Sequence, residues 1–355
     1  MSMILTALET ANPVPYVTQE EAFRFFDENV PLEPDVRALY RRILCEGPIA
    51  GCYVGVERYA DAIDENQDRL VERFRVQGRA VAANAAQRAL ARAGLAAGDV
   101  DVLVVNTCTG YLCPGLSSYL AEDLGLREDV KAVDLMGMGC GAAIPNLECA
   151  AGILERSGRE HALSVAVEIC TATTFLGPDP GLIVSNCIFG DGAAAAVLRR
   201  SPEAPGSTAP QARLLDFESG LFPRYREDLR YRTEEGRLRN VLGKRVPVIG
   251  ARTVEAVVRR LLRRVGLGSE EVNWWAVHPG GTAVLDCVRE RLGLPPERLA
   301  HSYAVFREYG NMSSPTVLFV LQRILADPSC GAGQLGVVVS FGAGFTAFAA
   351  LVAFE

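Results

Sequence analysis

The two halves of this chain carry the same signals in the same order. One apolar strand ends at Val104-Val105-Asn106-Thr107, before the loop Cys108-Thr109-Gly110. Another ends at Trp275-Ala276-Val277-His278, before Pro279-Gly280-Gly281. Thr107 and His278 lie 171 residues apart (278 − 107), and so do Cys140 and Asn311 (311 − 140). Cys140 and Asn311 each sit in a bend of small residues, followed by a proline (Pro145, Pro315) and a helical pattern. Each half closes on Phe-Gly-x-Gly before an apolar strand, at 189–192 and 341–344. An offset that preserves strand, bend and helix marks a duplicated unit. Strands alternating with helical segments make each unit α/β. Two similar α/β halves are expected, 1–205 and 206–355, joined through 201–211, a linker with three prolines. Strand ends and helix starts of both halves would then meet at a pseudo-two-fold centre, bringing Cys140, His278 and Asn311 together.

Composition narrows the function. The formal charge is −7, which argues against nucleic acid as a partner, because phosphate contacts need a basic face. The ten cysteines are spread singly, with no Cys-x-x-Cys pair, and there are only three histidines. That pattern suits reduced thiols in a cytoplasmic protein and speaks against both a disulfide framework and a metal site. No leader is expected from the first sixteen residues, which lack a basic n-region. Residues 336–354 run without a charge, close to the length of a membrane span. The Ser-Phe-Gly-Ala-Gly-Phe-Thr at their centre reads instead as two buried strands joined by a glycine turn, so no membrane association is expected. Residues 61–95 read as helix, with Gly78 as a break and Gly94 as a cap.

The bend at 136–143, Met-Gly-Met-Gly-Cys-Gly-Ala-Ala, lies between an extended run and a helix. Glycines there leave room for a substrate. The helix start aims N–H groups and partial positive charge at the sulfur, favouring the nucleophilic thiolate. A cysteine that merely fills a core would look the same locally. His278, at a strand end, would add an imidazole able to hold that thiolate and then to stabilise developing negative charge. Asn311, in Tyr309-Gly310-Asn311-Met312-Ser313-Ser314, would supply a donor to an oxyanion site, although Gly-Asn is also a turn signal. No Asp or Glu falls in these three motifs, so an incoming carboxylate would meet no opposing acid. The Cys-His-Asn set also occurs in papain-like proteases, but Cys-Gly-x-Cys-Trp is absent here.

Gly139-Cys140-Gly141, His278-Pro279-Gly280-Gly281 and the segment 309–314 resemble the active-site signatures of type III polyketide synthases, the chalcone-synthase-like enzymes. Residues 171–178, 189–194 and 341–344 strengthen the likeness, which runs from about residue 101 onward. The resemblance implies a thiolase-like fold, a five-layered αβαβα sandwich of two βαβα halves, and a homodimer. It implies coenzyme A thioesters as substrates, an acyl-CoA starter and malonyl-CoA, with no cofactor and no metal. Cys140 would carry the starter as a thioester. His278 and Asn311 would promote decarboxylation of malonyl-CoA, and the enolate would extend the chain by two carbons before cyclisation to a pyrone, resorcinol or related ring.

The same resemblance assigns Phe189 as an aromatic gatekeeper and Thr171, Thr174 and Cys108 as cavity positions. Cys113 would reach a partner subunit's cavity, Ser313 would adjoin the catalytic asparagine, and Ala283 would line the pantetheine tunnel. A second gatekeeper phenylalanine falls on Asn240, so that aromatic wall is absent and an aliphatic or other non-coumaroyl starter is expected. The cations that hold CoA phosphates do not align; Arg41, Arg42 and Arg58 are candidates, and the arginine-rich stretch 223–245 reads as a solvated hairpin or a contact for an anionic cofactor. Delivery of the starter by an acyl carrier protein stays open. A ketoacyl-ACP synthase III would share the three residues, but its usual His-Gln-x-Asn and Asn-x-Gly-Asn-Thr are not found here. HMG-CoA synthase or thiolase would need an acid or a second cysteine in place of Asn311. A non-catalytic scaffold would have no reason to keep all three polar residues at this spacing.

Overall fold

The computed structural model describes residues 3–200 and 211–355. The expected linker, with the 205/206 boundary inside it, lies outside the described residues apart from Gln211. The first half runs β1 (Met3–Ala11), β2 (Tyr16–Thr18), α1 (Gln19–Asn29), α2 (Pro34–Glu46), β3 (Gly51–Tyr53), α3 (Gln67–Ala93), β4 (Val102–Asn106), α4 (Leu116–Leu124), β5 (Lys131–Leu135), α5 (Ala143–Ser157), β6 (His161–Ile169), α6 (Pro180–Ile188) and β7 (Asp191–Arg200). The second runs β8 (Ala212–Leu221), β9 (Leu229–Glu234), β10 (Arg237–Leu242), α7 (Val246–Val265), β11 (Trp274–Val277), α8 (Thr282–Leu292), α9 (Ala300–Tyr309), α10 (Thr316–Leu325), β12 (Leu335–Gly342) and β13 (Thr346–Phe354).

The duplication is visible in the sheet. Its nine strands lie in the order β11-β12-β13-β8-β1-β7-β6-β4-β5. Read outward from the antiparallel β8–β1 junction, β8-β13-β12-β11 repeats β1-β7-β6-β4. The five layers follow from the period-two alternation of strand side chains. On β4, Val102 and Val104 face an inner core shared with α5 and α10, while Leu103 and Val105 face α3 and α4. On β13, Phe348, Ala350 and Val352 face the same inner core, and Ala347, Ala349 and Leu351 face α7 and α8. Helices α5 and α10 are thus the filling between two sheet faces, which is why α10 is buried almost all round. Strands covered on both faces read as unbroken apolar runs.

One boundary departs from expectation. Gly78 does not break α3, which runs from Gln67 to Ala93. A β-carbon at Gly78 would lie 3.6 Å from Ile169 and Phe74, ordinary contact distance, so the position has room for a methyl group and the helix simply carries the glycine. The helix starts six residues late, at the Asn66 side chain that accepts from Arg69 N at 3.1 Å, and stops at Gly94 with φ 68°. Residues 335–354 form the antiparallel pair β12–β13, and no helix among the described residues is long and apolar enough to cross a membrane.

Candidate active site

Carboxyl ends of strands and the bends that follow them supply the polar groups. Cys140 lies in a single 3-10 turn, Gly139–Gly141, between β5 and α5. That turn is pressed against the end of β12. A β-carbon on Gly342 would collide with the Met138 carbonyl oxygen and lie 2.6 Å from Gly141 N; Ser340 Oγ donates to Gly141 O at 3.2 Å. His278 follows β11 on the other side of β12: its N–H donates to Val339 O at 2.9 Å, and its ring meets Phe341 edge-on at 6.0 Å. Cys140 and His278 are therefore both built onto the last residues of one strand.

Asn311 arrives from the bend before α10. Its N–H donates to Ile188 O (2.8 Å) and its carbonyl accepts from Gly190 N (3.0 Å), which locks it to the segment carrying Phe189. Its side-chain Oδ1 accepts from Ser313 N at 2.8 Å, leaving the amide Nδ2 to donate. Ser313 is held at φ 58°, a left-handed conformation costly for a residue with a β-carbon. The strain places its hydroxyl between two thiols: Oγ donates to Cys140 Sγ at 3.3 Å and lies 3.4 Å from Cys108 Sγ.

Beneath these groups is a carboxylate that the sequence reading missed. Glu168 at the end of β6 is fully buried. It accepts from Ser314 Oγ (2.6 Å), Cys108 N (2.9 Å), Thr109 N (3.1 Å) and Thr109 Oγ1 (2.9 Å). Burial pushes its pKa up, and those donors pull it back. The expectation that no acid borders the site is thus corrected: an Asp or Glu is absent from the three motifs but present in space. The signal was an acid inside an otherwise apolar strand, which is rare without partners.

Burial works against the expected thiolate. Burial pushes the Cys140 thiol up to about 12, with the Ser313 hydrogen bond acting in the opposite direction. Burial alone lowers His278 to about 3, and its Nδ1 has no hydrogen-bond partner among the described residues. Burial thus disfavours the charged form of each group. The polar partner of the sulfur is Ser313, and the helix start does not outweigh desolvation.

A cavity of about 210 Å3 opens on the far side of Phe189, between α1, β3, α6 and β10. Thr171, Thr174, Phe189 and Asn240 line it; Cys140, His278 and Asn311 do not. Cys170, Thr173 and Tyr231 line it as well and were not foreseen. The Tyr231 hydroxyl lies 3.2 Å from Thr173 Oγ1, and burial, then Cys108 and Cys170, raise its pKa. Thr171 Oγ1 donates to Asp191 at 2.5 Å, and the same carboxylate accepts from Gly55 N at 2.6 Å, so Asp191 of the Phe-Gly-Asp-Gly motif clamps two loops of the cavity wall. Asn240 Nδ2 donates to Ser185 Oγ at 3.1 Å. Cys113 is exposed, Ala283 is exposed at the start of α8, and Arg41 and Arg42 are exposed on α2. Arg58 is exposed and paired with Asp61 at 2.8 Å. No cluster of three or more potential metal ligands occurs among the described residues.

A nucleophile bend, a histidine and an asparagine on a duplicated five-layer α/β scaffold define an acyl-transferring enzyme of thiolase-like fold. Comparison with known proteins places the chain within that class. Residues 28–216 match the family described as FAE1/Type III polyketide synthase-like protein, and residues 218–353 match the chalcone and stilbene synthases, C-terminal domain. The chain is 33% identical to a 3,5-dihydroxyphenylacetyl-CoA synthase of Streptomyces toyocaensis, over 82% of this chain and 75% of that protein. It is 34% identical to a bisdemethoxycurcumin synthase of Oryza sativa subsp. japonica, over 98% of this chain and 91% of the relative. Its fold superposes on the crystal structure of 1,3,6,8-tetrahydroxynaphthalene synthase from Streptomyces coelicolor A3(2) with TM-score 0.89 at 26% identity, covering 99% of both chains. The chain belongs to the type III polyketide synthase family, and the ketoacyl-ACP synthase III alternative is set aside.

Proposed function

We propose that this enzyme condenses malonyl-CoA units onto a starter acyl group held on Cys140. Cys140 passes its proton to the His278 imidazole as the sulfur attacks the starter thioester, and the same proton moves on to the departing sulfur, so that coenzyme A leaves as its thiol and His278 is neutral again. Malonyl-CoA then binds with its thioester oxygen toward His278 and Asn311 Nδ2. Its carboxylate departs as CO2, and the electron pair left behind delocalises onto that oxygen. The enolate attacks the acyl-Cys140 carbonyl, the sulfur leaves, and a β-ketoacyl-CoA two carbons longer results. Donors placed where charge develops suffice for this chemistry without a metal or cofactor.

The observation that carries the reading is the meeting of Cys140 and Asn311 around Ser313, with His278 on the adjoining strand end. Asn240 in the cavity wall, where an aromatic wall would favour planar starters, supports an aliphatic or other non-coumaroyl starter, delivered as a CoA thioester or on an acyl carrier protein. We also propose a cytoplasmic homodimer: β5 is an edge strand with exposed residues, and Tyr111 and Cys113 project beside it. Purified protein incubated with malonyl-CoA and an acyl-CoA panel tests the reading, with products identified by mass. Two or more malonyl units per product are expected; a single condensation, or exclusive use of coumaroyl-CoA, would refute it.

A further inference from the structure

Two thiols border the site, and the chemistry needs one. Cys140 and Cys108 are both half-buried, and the Ser313 hydroxyl lies within hydrogen-bonding reach of each, at 3.3 and 3.4 Å. Exposure alone does not tell a starter acyl group which sulfur to join. The hydrogen bonds behind Glu168 do, because they run in one direction.

That direction is set by a backbone carbonyl. Asn146 Nδ2 donates to Val165 O at 3.0 Å, and a carbonyl only accepts, so the amide cannot be turned round. Its second N–H goes to Asn106 Oδ1 at 2.8 Å, and its Oδ1 accepts from Ser164 Oγ at 2.8 Å. Asn106 therefore presents Nδ2 to Ser314 Oγ, 2.8 Å away. Having accepted there, Ser314 sends its own hydrogen to Glu168 Oε1 at 2.6 Å. On the other oxygen, Thr109 Oγ1 accepts from Ile169 N at 2.9 Å, so its hydrogen goes to Glu168 Oε2. Asn106, Asn146, Ser164, Ser314 and Glu168 are each at most 1% exposed, so solvent does not reorder the chain.

Every hydrogen in this chain points at the carboxylate. A proton on Oε1 would face the Ser314 hydrogen, and one on Oε2 would face that of Thr109, so Glu168 accepts and does not serve as a base toward Cys108. Oε1 has two lone-pair directions. Ser314 takes one, and Cys108 Sγ, at 3.3 Å, takes the other with its thiol hydrogen. The Ser313 hydroxyl, 3.4 Å from the same oxygen, is left to donate to Cys140. The two thiols thereby differ. At Cys108, burial and then the Glu168 charge hold the proton on the sulfur. At Cys140, burial is opposed first by the Ser313 hydrogen bond.

Building on the polyketide synthase reading, on which this inference rests, we propose that Glu168, aimed by Ser314, Asn106 and Asn146, makes Cys140 the only acylated thiol by pinning the hydrogen of Cys108. Acylation of either cysteine forms a bond from Sγ to the starter carbonyl carbon, breaks the bond from that carbon to the CoA sulfur and delivers the thiol proton to the departing coenzyme A. At Cys108 the proton is held between sulfur and carboxylate, and the sulfur does not attack. Glu168, Ser314 and the two asparagines are positioning residues, acting through Cys108 and Ser313.

The test locates the acyl group. Wild type, Glu168→Gln and Ser314→Ala are incubated with hexanoyl-CoA in the absence of malonyl-CoA, and separately with iodoacetamide at one pH. Each cysteine is read by peptide-resolved mass spectrometry. Wild type should carry hexanoyl on Cys140 alone. In Glu168→Gln the charge beside the thiol is gone, so alkylation at Cys108 should speed up about ten-fold or more and hexanoyl should appear there as well. Ser314→Ala is the milder change and decides the matter if Glu168→Gln does not fold. It frees Oε1 for the Ser313 hydroxyl, so alkylation at Cys140 should slow about three-fold or more without speeding up at Cys108. A purely structural network would lower the melting temperature of both variants and leave the ratio of the two cysteines unchanged, which overturns the proposal. Slower alkylation of Cys108 in Glu168→Gln also overturns it and makes Glu168 a base for that thiol. Hexanoyl on both cysteines of wild type overturns it while leaving the polyketide synthase reading in place. If wild type forms no acyl-enzyme with any member of the acyl-CoA panel, the underlying reading has failed.

Discussion

The protonation state of Cys140 makes the sharpest prediction. With the thiol pushed up to about 12 by burial, the thiolate fraction at pH 7 is on the order of one molecule in 100,000. Alkylation by iodoacetamide follows the thiolate, so its rate at Cys140 should rise about ten-fold per pH unit from pH 6 to 10 without a plateau. The sign follows from the direction of the shift: a raised pKa keeps the reactive form scarce until pH approaches that value. Peptide-resolved mass spectrometry is required, because the exposed Cys45 and Cys113 will also react. Ser313→Ala removes the hydroxyl that stabilises the sulfur's charge and should slow the reaction at every pH. A plateau below about pH 8 would refute the reasoning. It would mean that His278 carries the proton and forms an ion pair with the sulfur, whereas burial alone keeps the imidazole neutral.

Four further outcomes can be checked. Glu168→Ala removes the acceptor of the Ser314 hydroxyl and of the Cys108 and Thr109 N–H groups in the interior and should cost about 2–3 kcal/mol, read as a lower midpoint in denaturant. Gly342→Ala forces the Cys140 turn away from β12 and should lower kcat by about ten-fold or more together with the melting temperature. Tyr231→Ala removes a partly buried ring from the cavity wall, should lower the melting temperature, and should lengthen the polyketide seen by mass spectrometry. Asn240→Phe breaks the hydrogen bond to Ser185 and narrows the cavity; relative kcat/KM across the acyl-CoA panel should shift toward planar starters.

The halves, their strands and the bends were legible because each rests on local order. Apolar runs such as 102–105 and 336–339 announce strands covered on both faces, and Pro315 after Ser313-Ser314 announces a helix start. What could not be read depends on long-range partners. Glu168 acquires its meaning from Cys108, 60 residues away, and Ser314, 146 residues away. Tyr231 belongs to a hairpin whose alternating charges read as a solvated surface, yet its own side chain turns inward to Thr173. Gly78 looked like a helix break because helix propensity speaks only of the isolated helix, whereas burial of the turns on either side of it, at Phe74, Val81 and Ala82, outweighs a penalty of about 1 kcal/mol. The expected thiolate is opposed for a related reason: the helix-start signal is local, while desolvation is a property of the whole fold.

Ser313 connects these two levels. The offset of 171 residues sets the Asn311 bend of one half opposite the Cys140 bend of the other, across the two-fold relation seen in the strand order. The copies have diverged in chemistry while keeping their backbone task of starting a central helix, α5 or α10. In the second copy the turn is driven into the left-handed region at Ser313, a cost of about 1–3 kcal/mol at a position glycine would occupy without strain. Glycine there would relieve the strain but remove the hydroxyl that touches Cys140, Cys108 and Glu168. Ser313→Gly should therefore raise stability or leave it unchanged while lowering turnover, and thermal melting measured beside malonyl-CoA consumption separates the two. If stability fell as well, the serine would be a structural pin, and its contact with the nucleophile a by-product of packing.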